Sequence, residues 1–227
     1  MVTSVLVVLF GFLNMMKIKL ENLEKKLDGN VIIENVNMEF ESGNIYGLVG
    51  RNGSGKTMIM KCLCGFMKSK GDIIIDGVKV DTSKKYLDSV GVLIETPGFI
   101  EHYSAFDNLK ELASIKKIAS DDEIKELLNE VGLDWQDKKK VKKYSLGMRQ
   151  KLGIAMAFLE EPELIILDEP FNALDEATEA VVVEMIKKRK EAGKLIIITC
   201  HDSSMIEELC SKVYKIENHT AKLMYNN

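Results

Sequence analysis

The sequence predicts an α/β fold with a mainly parallel core sheet, and three observations support this prediction. First, Gly50–Thr57 fits the pattern G-x-x-x-x-G-K-[ST] and lies between an apolar strand, Ile45–Val49, and a helix. Second, Leu164–Leu167 and Leu195–Thr199 are continuous apolar runs, as expected for parallel strands that are buried on both faces. Third, residues 100–160 carry helical patterns, which predict a helical insertion in this core.

The composition is that of a soluble globular protein. The chain has 227 residues, of which 46% are hydrophobic and 29% charged, enough for one large domain or two small ones. Its net charge of −4 gives no nucleic-acid footprint. The 4 cysteines are too few for a disulfide framework in a chain of this length, so buried free thiols are expected.

Residues 1–15 are predicted to form an extension outside the fold, and residues 16–227 to form the folded domain. The apolar part of the extension, Val5–Leu13, is shorter than the roughly 20 residues that a membrane-spanning helix needs. The extension also lacks the leading positive charges and cleavage site of a signal peptide. A weak contact with a membrane surface is the alternative. We expect a cytoplasmic protein that reaches a membrane only through a partner.

Short strands separated by turn residues are predicted on both sides of the glycine-rich loop. Asp76-Gly77 predicts a two-residue hairpin, and Pro97-Gly98 ends the last strand of this region. The predicted strands besides Ile45–Val49 are Ile18–Leu20, Val31–Ile33, Val36–Phe40, Asp72–Asp76, Val78–Val80 and Ser89–Glu95.

Helices alternate with buried strands in the second half of the chain. A helix is predicted from Ala105 to Ile118, and another from Ser145 to about Glu160. Short closing strands follow the last helix. The residues expected to cap helices are Ser120, Ser145, Asp175 and Ser204, and Ser120 and Ser204 each have a glutamate three residues later, as in a capping box. The apolar stripe of the Ser120 helix is Ile124, Leu127, Leu128 and Val131.

The glycine-rich loop and two carboxylates predict a site for a nucleotide and a metal ion. Lys56 is expected to reach the β- and γ-phosphates, and the Thr57 hydroxyl to bind Mg²⁺. Asp168 ends an apolar strand, where such a fold needs a carboxylate for Mg²⁺. Glu169 follows directly, and its carboxylate can act as a general base or orient the attacking water. The loop residues expected to bind the nucleotide are Gly50, Arg51, Asn52, Gly53, Ser54, Gly55, Lys56 and Thr57.

Five motifs resemble, in order and spacing, those of the ATP-binding subunits of ABC transporters. The resemblance extends from about residue 16 to about residue 217. It predicts the P-loop NTPase fold of the ABC cassette, with an antiparallel β subdomain and a helical subdomain at about 100–160. The motifs are Walker A at Gly50–Thr57, a variant signature at Tyr144–Gln150, Walker B at Leu164–Glu169, the D-loop at Asn172–Asp175 and the switch histidine His201.

The resemblance implies binding and hydrolysis of ATP with Mg²⁺, Glu169 and His201 being catalytic. It also implies a head-to-tail dimer with a second cassette, expected to be a second copy of this chain. In that dimer Ser145 and Gly147 of one chain close on the γ-phosphate held by the other, and Asp175 of the D-loop joins the nucleotide site. A separate integral membrane permease would use this cycle and hold the protein at the inner face of the membrane.

The alternative is a non-transport ABC ATPase that acts on ribosomes or DNA. Such proteins usually carry two cassettes or a long coiled coil, whereas this chain has one cassette and an acidic charge. No nucleic-acid partner is therefore expected. A regulatory module that binds ATP without hydrolysing it is a further possibility, but binding alone would not need Glu169 and His201.

The chain departs from the family pattern at three places. Leu27 stands where an aromatic residue often stacks on adenine, and Leu146 and Met148 replace a glycine and a glutamine of the signature. Glu95 occupies the position of the glutamine that contacts Mg²⁺ and the transport partner. Glu95 and the variant signature resemble the bacitracin-resistance and lantibiotic-immunity exporters, which implies export of a peptide antibiotic or bacteriocin. We expect Glu95 to count among the catalytic residues, to join the Mg²⁺ shell and to couple ATP to the permease.

Overall fold

The computed structural model describes residues 15–82, 84, 87–201 and 203–226, which form the predicted α/β fold. The strands are β1 (Lys17–Leu27), β2 (Asn30–Glu41), β3 (Ile45–Val49), β4 (Lys70–Ile75), β5 (Val78–Lys79), β6 (Val90–Leu93), β7 (Leu164–Leu167), β8 (Leu195–Thr199), β9 (Lys212–Glu217) and β10 (Thr220–Asn226). The helices are α1 (Lys56–Leu63), α2 (Ala105–Lys116), α3 (Asp121–Glu130), α4 (Leu146–Phe158), α5 (Glu176–Glu191) and α6 (Ser203–Leu209), with a short 3-10 helix at Val141–Lys143.

The core sheet has six strands in the order β10-β9-β3-β8-β7-β6. The five strands from β9 to β6 are parallel, and β10 adds an antiparallel edge. The strand β3 leads into the glycine-rich loop, and β8 separates it from β7, which leads into Asp168. Because parallel strands end at the same edge of a sheet, the loop and the carboxylates of the predicted site lie on the same side of the core.

The central strands are buried on both faces, as their continuous apolar runs predict. In β7, Ile165 and Leu167 pack in one core cluster with the helical layer, whereas Leu164 and Ile166 pack in a second cluster with α1 and the N-terminal strands. All four side chains are fully buried. This alternation fixes the register of the strand, since a one-residue slip would exchange the two faces.

The second sheet is antiparallel, with the order β2-β1-β4-β5. Ile75 pairs with Val78 across Asp76-Gly77, so the predicted hairpin is confirmed. The prediction of separate strands at Val31–Ile33 and Val36–Phe40 is wrong, because both belong to the single strand β2. Asn35 within it adopts a left-handed conformation (φ 49°), and the pairing with β1 changes register beside it. An irregularity of this kind bends a strand without ending it.

The helical layer contains α2, α3 and α4. The capping box of Ser120 and Glu123 is present at the start of α3, and the predicted apolar stripe of this helix is buried against α2 and α4. A second capping box, which the sequence analysis did not identify, joins Ser104 and Asp107 at the start of α2. Two well-capped helices therefore pack on α4, the helix that follows the signature serine.

Two other expectations concern the ends of the fold. The predicted cap at Ser204 is wrong, because α6 begins at Ser203 and Ser204 lies within its first turn. The predicted extension at residues 1–15 lies outside the described residues except for Met15. Across the described ranges, no helix has the length and apolar character needed to cross a membrane. None of the four cysteines forms a disulfide, as predicted, but only Cys62 and Cys210 are buried, whereas Cys64 and Cys200 are partly buried.

Candidate nucleotide site

The glycine-rich loop leaves β3 and enters α1 through positions where a side chain does not fit. A Cβ at Gly50 would collide with the carbonyl of Ile216, and one at Gly55 would lie 2.6 Å from the side chain of Ile33. Gly55 has φ 108° and precedes the first residue of α1. The loop therefore follows the protein surface closely and ends at a helix N-terminus, which favours an anion.

Lys56 is the first residue of α1 and is 8% exposed. Its ammonium donates hydrogen bonds to the carbonyls of Gly50 and Arg51, at 2.8 and 3.2 Å. An ammonium has three N–H donors. Lys56 thus ties the loop together through two of them and keeps a third for a phosphate oxygen.

Thr57 and Asp168, the two predicted metal ligands of the loop and of β7, are in direct contact. The Thr57 hydroxyl donates to Asp168 Oδ2 at 2.7 Å. The Thr199 hydroxyl, from the end of β8, donates to Asp168 Oδ1 at 2.6 Å. Each carboxylate oxygen of Asp168 therefore has a donor, and its orientation is fixed. Hydroxyl and carboxylate oxygens are the hard ligands that Mg²⁺ prefers, so this pair fits the metal.

Glu169 stands in a left-handed backbone conformation (φ 52°) immediately after Asp168. Its N–H donates to the Thr199 hydroxyl at 2.8 Å, and its carbonyl accepts from the Gln150 amide at 3.0 Å. The carboxylate is largely buried, and its Oε1 accepts no hydrogen bond within the described part of the chain. His201 Nε2 lies 3.4 Å from this oxygen. Burial is the main reason why the pKa of Glu169 is raised above 4.5, although His201 opposes the shift.

A cavity of about 400 Å³ joins these groups. The glycine-rich loop from Asn52 to Thr57 forms one part of its wall, and Asp168, Glu169 and His201 form another. Leu27 also lines the cavity, together with two apolar residues that the sequence analysis did not single out, Ile32 and Met58. An aliphatic surface is therefore present in the cavity where the family pattern suggested an aromatic side chain.

Five predicted nucleotide-binding residues do not line this cavity: Gly50 and Arg51 at the start of the loop, and Ser145, Gly147 and Asp175 elsewhere in the chain. Ser145 Oγ accepts the N–H of Met148 at 3.2 Å and caps α4. Asp175 Oδ1 accepts the N–H of Thr178 at 2.8 Å and caps α5. Hydrogen bonds from the backbone and the side chain of Thr178 lower the pKa of Asp175. A Cβ at Gly147 would lie 2.7 Å from the carbonyl oxygen of Ala173 in the D-loop segment. A separate region of the surface is thus formed by Ser145, Gly147 and Asp175.

Glu95 is also outside the cavity. Its backbone is left-handed (φ 55°), and its Oε1 accepts a hydrogen bond from Lys61 Nζ on α1 at 2.6 Å. The side chain of Glu95 is 62% exposed, and that of Lys61 is 25% exposed. The structure therefore pairs Glu95 with a cation of α1 and does not bring it to Thr57 and Asp168.

Two residues that were not predicted as part of the site, Thr199 and Gln150, form hydrogen bonds with the backbone of Glu169. Thr199 ends β8 and is fully buried, so a polar residue at the carboxyl end of an apolar run was the available signal. Gln150 lies in the signature stretch, but nothing in its spacing indicated that it reaches Glu169 and Pro170.

The loop, the paired Thr57 and Asp168 and the adjacent Glu169 define a P-loop nucleotide-binding protein. A sequence profile described as ABC transporter matches residues 33–172. The chain belongs to the ABC transporter family, as an ATP-binding protein and ATPase of that family. This confirms the predicted fold class and the predicted enzyme class.

Several relatives match most of the chain. The ABC transporter ATP-binding protein YybJ of Bacillus subtilis is 43% identical over 85% of this chain and 89% of its own length. The lantibiotic transport ATP-binding protein SrtF of Streptococcus pyogenes is 41% identical over 85% and 83%. The bacitracin transport ATP-binding protein BcrA of Bacillus licheniformis is 40% identical over 91% and 68%.

The fold also matches a solved structure, the dimeric MJ0796, a bacterial ABC transporter cassette. The TM-score is 0.79 at 25% identity, and the alignment covers 90% of this chain and 96% of that chain. The close match in both directions shows that the ABC cassette accounts for nearly the whole fold described above.

Proposed function

We propose that this protein is the ATP-hydrolysing subunit of an exporter that removes a peptide antibiotic or bacteriocin. The observation that best supports this proposal is a hydrogen-bond network at the cavity of the glycine-rich loop. It joins Thr57, Asp168, Thr199 and Glu169. The named functions of SrtF and BcrA in lantibiotic and bacitracin transport support the class of cargo.

In this proposal the loop N–H groups and Lys56 bind the phosphates of ATP. Thr57 and Asp168 hold Mg²⁺, which when bound offsets negative charge on the β- and γ-phosphates. Glu169 accepts a proton from the attacking water or orients it, and its buried Oε1, which accepts no hydrogen bond from the described residues and lies 3.4 Å from His201 Nε2, is the atom available for this. His201 contacts the γ-phosphate.

We further propose a head-to-tail dimer with a second copy of the chain. Ser145 starts α4, and Gly147 follows in its first turn, so the N–H groups of this turn can bind an anion. Within one chain these residues lie outside the nucleotide cavity. Leu146 between them is 72% exposed, so its side chain is available for a contact with the partner. Asp175 would lie at the same interface.

A membrane permease is the proposed third component, and it would hold the protein at the cytoplasmic face of the membrane. A groove of about 810 Å³ separates the end of α1 from the end of α2. Three large apolar side chains on it are exposed, Phe66 at 60%, Ile115 at 76% and Ile118 at 65%. An apolar segment of the permease would bury them, which removes surface that is costly to leave in water.

The substitution Glu169→Gln tests the hydrolytic part of the proposal. The variant should keep ATP binding but lose turnover by about 10²–10⁴-fold, as removal of a general base typically does. It should also hold the ATP-bound dimer long enough to be seen by gel filtration. Glu126→Gln, the same change at an exposed position of α3, is the matched control and should behave as wild type. Wild-type turnover in Glu169→Gln would refute the assigned role.

The transport part is tested by co-purification from membranes. The chain should co-purify with an integral membrane protein, and replacing Phe66, Ile115 and Ile118 by serine should abolish this. Val78→Ser is the control, because Val78 is 66% exposed but lies outside the groove. Co-purification with ribosomes or DNA instead would favour the non-transport alternative.

A further inference from the structure

We propose that Gln150 is a positioning residue for ATP hydrolysis, which acts by holding the backbone of Glu169. The inference rests on the proposed role of Glu169 and adds a residue that the motifs assign no such part. Gln150 lies on α4, one turn beyond the glycine of the signature, whereas Glu169 follows β7. The contact therefore joins two elements that are far apart in sequence.

The contact consists of two hydrogen bonds from the Gln150 side chain to the carbonyls of Glu169 and Pro170, and we call this pair of bonds the clamp. Gln150 Nε2 donates to the carbonyl of Glu169 at 3.0 Å and to the carbonyl of Pro170 at 2.9 Å. A side-chain amide has two N–H donors, so each carbonyl receives one. The clamp thus fixes two successive peptide planes, the first of which begins at the catalytic residue.

Glu169 needs this support because of its backbone conformation. A non-glycine residue in the left-handed region is strained and persists only where its surroundings over-determine it. The Thr199 hydroxyl accepts the N–H of Glu169 at 2.8 Å. The carbonyl of Glu169 accepts the N–H of Asn172 at 3.3 Å. The clamp from α4 is the shorter of the two bonds to that carbonyl. Without it, the peptide can rotate and carry the buried carboxylate away from its place beside His201.

The same face of α4 contacts the rest of this loop. Gly147, one turn before Gln150, lies so close to Ala173 that a Cβ would be 2.7 Å from its carbonyl oxygen. Ala173 is itself left-handed, with φ 62°. The first turns of α4 therefore hold the segment 169–173 at both of its ends, and Gln150 provides the end next to Glu169.

Two substitutions remove the clamp in different ways. Gln150→Leu keeps the bulk and the helix propensity but removes both donors. Gln150→Glu keeps the shape but faces two carbonyl oxygens with acceptors. Gln136→Leu is the matched control, because Gln136 is exposed and is the other glutamine of the sequence. Each variant is assayed with MgATP for kcat and KM, for ATP affinity and for melting temperature.

We expect kcat of both Gln150 variants to fall by at least about tenfold, which corresponds to an activation free energy that is higher by ~1.4 kcal/mol. ATP affinity should stay within about threefold. In the Glu169→Gln background, Gln150→Leu should change the residual turnover by less than about twofold, since its effect passes through the missing carboxylate.

Wild-type kcat in both Gln150 variants would overturn the proposal. So would an equal loss in the Glu169→Gln background, or a loss confined to ATP affinity, because either would show that Gln150 acts independently of Glu169. If Glu169→Gln itself turned over normally, the proposed function would fail first. An inactive Glu169→Gln with a fully active Gln150→Leu would refute the clamp alone.

Discussion

The Thr199 hydroxyl lies 2.6 Å from Asp168 Oδ1, and it joins this predicted metal ligand to Glu169, for which we propose a catalytic role. The hydroxyl oxygen of Thr199 also accepts the N–H of Glu169, and Thr199 is fully buried. Thr199→Val keeps the shape but leaves both groups without this partner. We expect a fall in kcat of about tenfold or more and a loss of about 1–3 kcal/mol in the free energy of unfolding.

Thr199→Ser is the matched control, because it retains the hydroxyl and loses only a methyl group. It should recover most of the turnover. ATPase assays and denaturant unfolding of the two variants separate the bridging role from simple packing. Equal losses in Thr199→Ser and Thr199→Val would contradict the bridging role, because Thr199→Ser keeps the hydroxyl that forms the bridge.

The raised pKa of Glu169 predicts where activity is lost on the acid side. The carboxylate can take a proton from water only while it is ionised, and burial raises its pKa above 4.5. As pH falls, the acid limb of kcat/KM should therefore appear above pH 4.5, where an ordinary glutamate would still be ionised. The limb should be absent from the residual activity of Glu169→Gln. Far-UV circular dichroism checks that the fold persists, and a limb below pH 4.5 would contradict the prediction.

Substitution of Gly91 in β6 should strongly lower the stability of the fold. A Cβ at this position would collide with the carbonyl of Ala157 on α4 and meet Pro162 at 2.7 Å. Neither the strand nor the helix backbone can move away easily, so Gly91→Ala should cost about 1–3 kcal/mol or more, as overpacking does. Gly98→Ala is the control, because open space surrounds Gly98. Urea unfolding of both variants measures the difference, and equal stability would contradict the close approach.

The local motifs of the site could be predicted from the sequence because their chemistry depends on short spacings. The loop Gly50–Thr57 carries its glycines and its lysine within one stretch, and Leu164–Leu167 is apolar at every position. A strand that is apolar at every position is expected to be buried on both faces. Asp168 follows its carboxyl end, which lies at the same edge of the sheet as the glycine-rich loop. The cap at Ser145 was predictable for the same reason, since a capping serine bonds within its own first turn.

Contacts between distant elements could not be predicted in this way. Gln150 and Thr199 reach Glu169 across 19 and 30 positions, and Lys61 reaches Glu95 across 34. Such contacts depend on how α1, α4 and β8 pack, and a threonine that ends a strand also fits ordinary β-propensity. The irregular residue Asn35 was missed because its register change arises from the pairing with β1.

The last prediction concerns Glu95, which we expect to couple ATP to the permease more than it anchors ATP. It follows β6, and Pro97 and Gly98 then lead the chain toward the helical layer. Strand ends beside a phosphate loop border the nucleotide site, and a carboxylate suits the hard-oxygen shell of Mg²⁺. To reach that shell Glu95 must leave Lys61, and an exposed pair of this kind costs about 0–1 kcal/mol to separate.

Glu95→Ala should therefore retain MgATP binding within about tenfold, or ~1.4 kcal/mol, yet lose most export in cells that carry the permease. Glu95→Gln should be milder, because its amide oxygen can still face the metal. Lys61→Met is the decisive control, since it breaks the same ion pair but leaves the carboxylate in place, and it should keep most of the export. Normal export by Glu95→Ala at equal protein levels would refute the coupling role. An equal loss in Lys61→Met would show that the pair with α1 matters, and not the carboxylate itself.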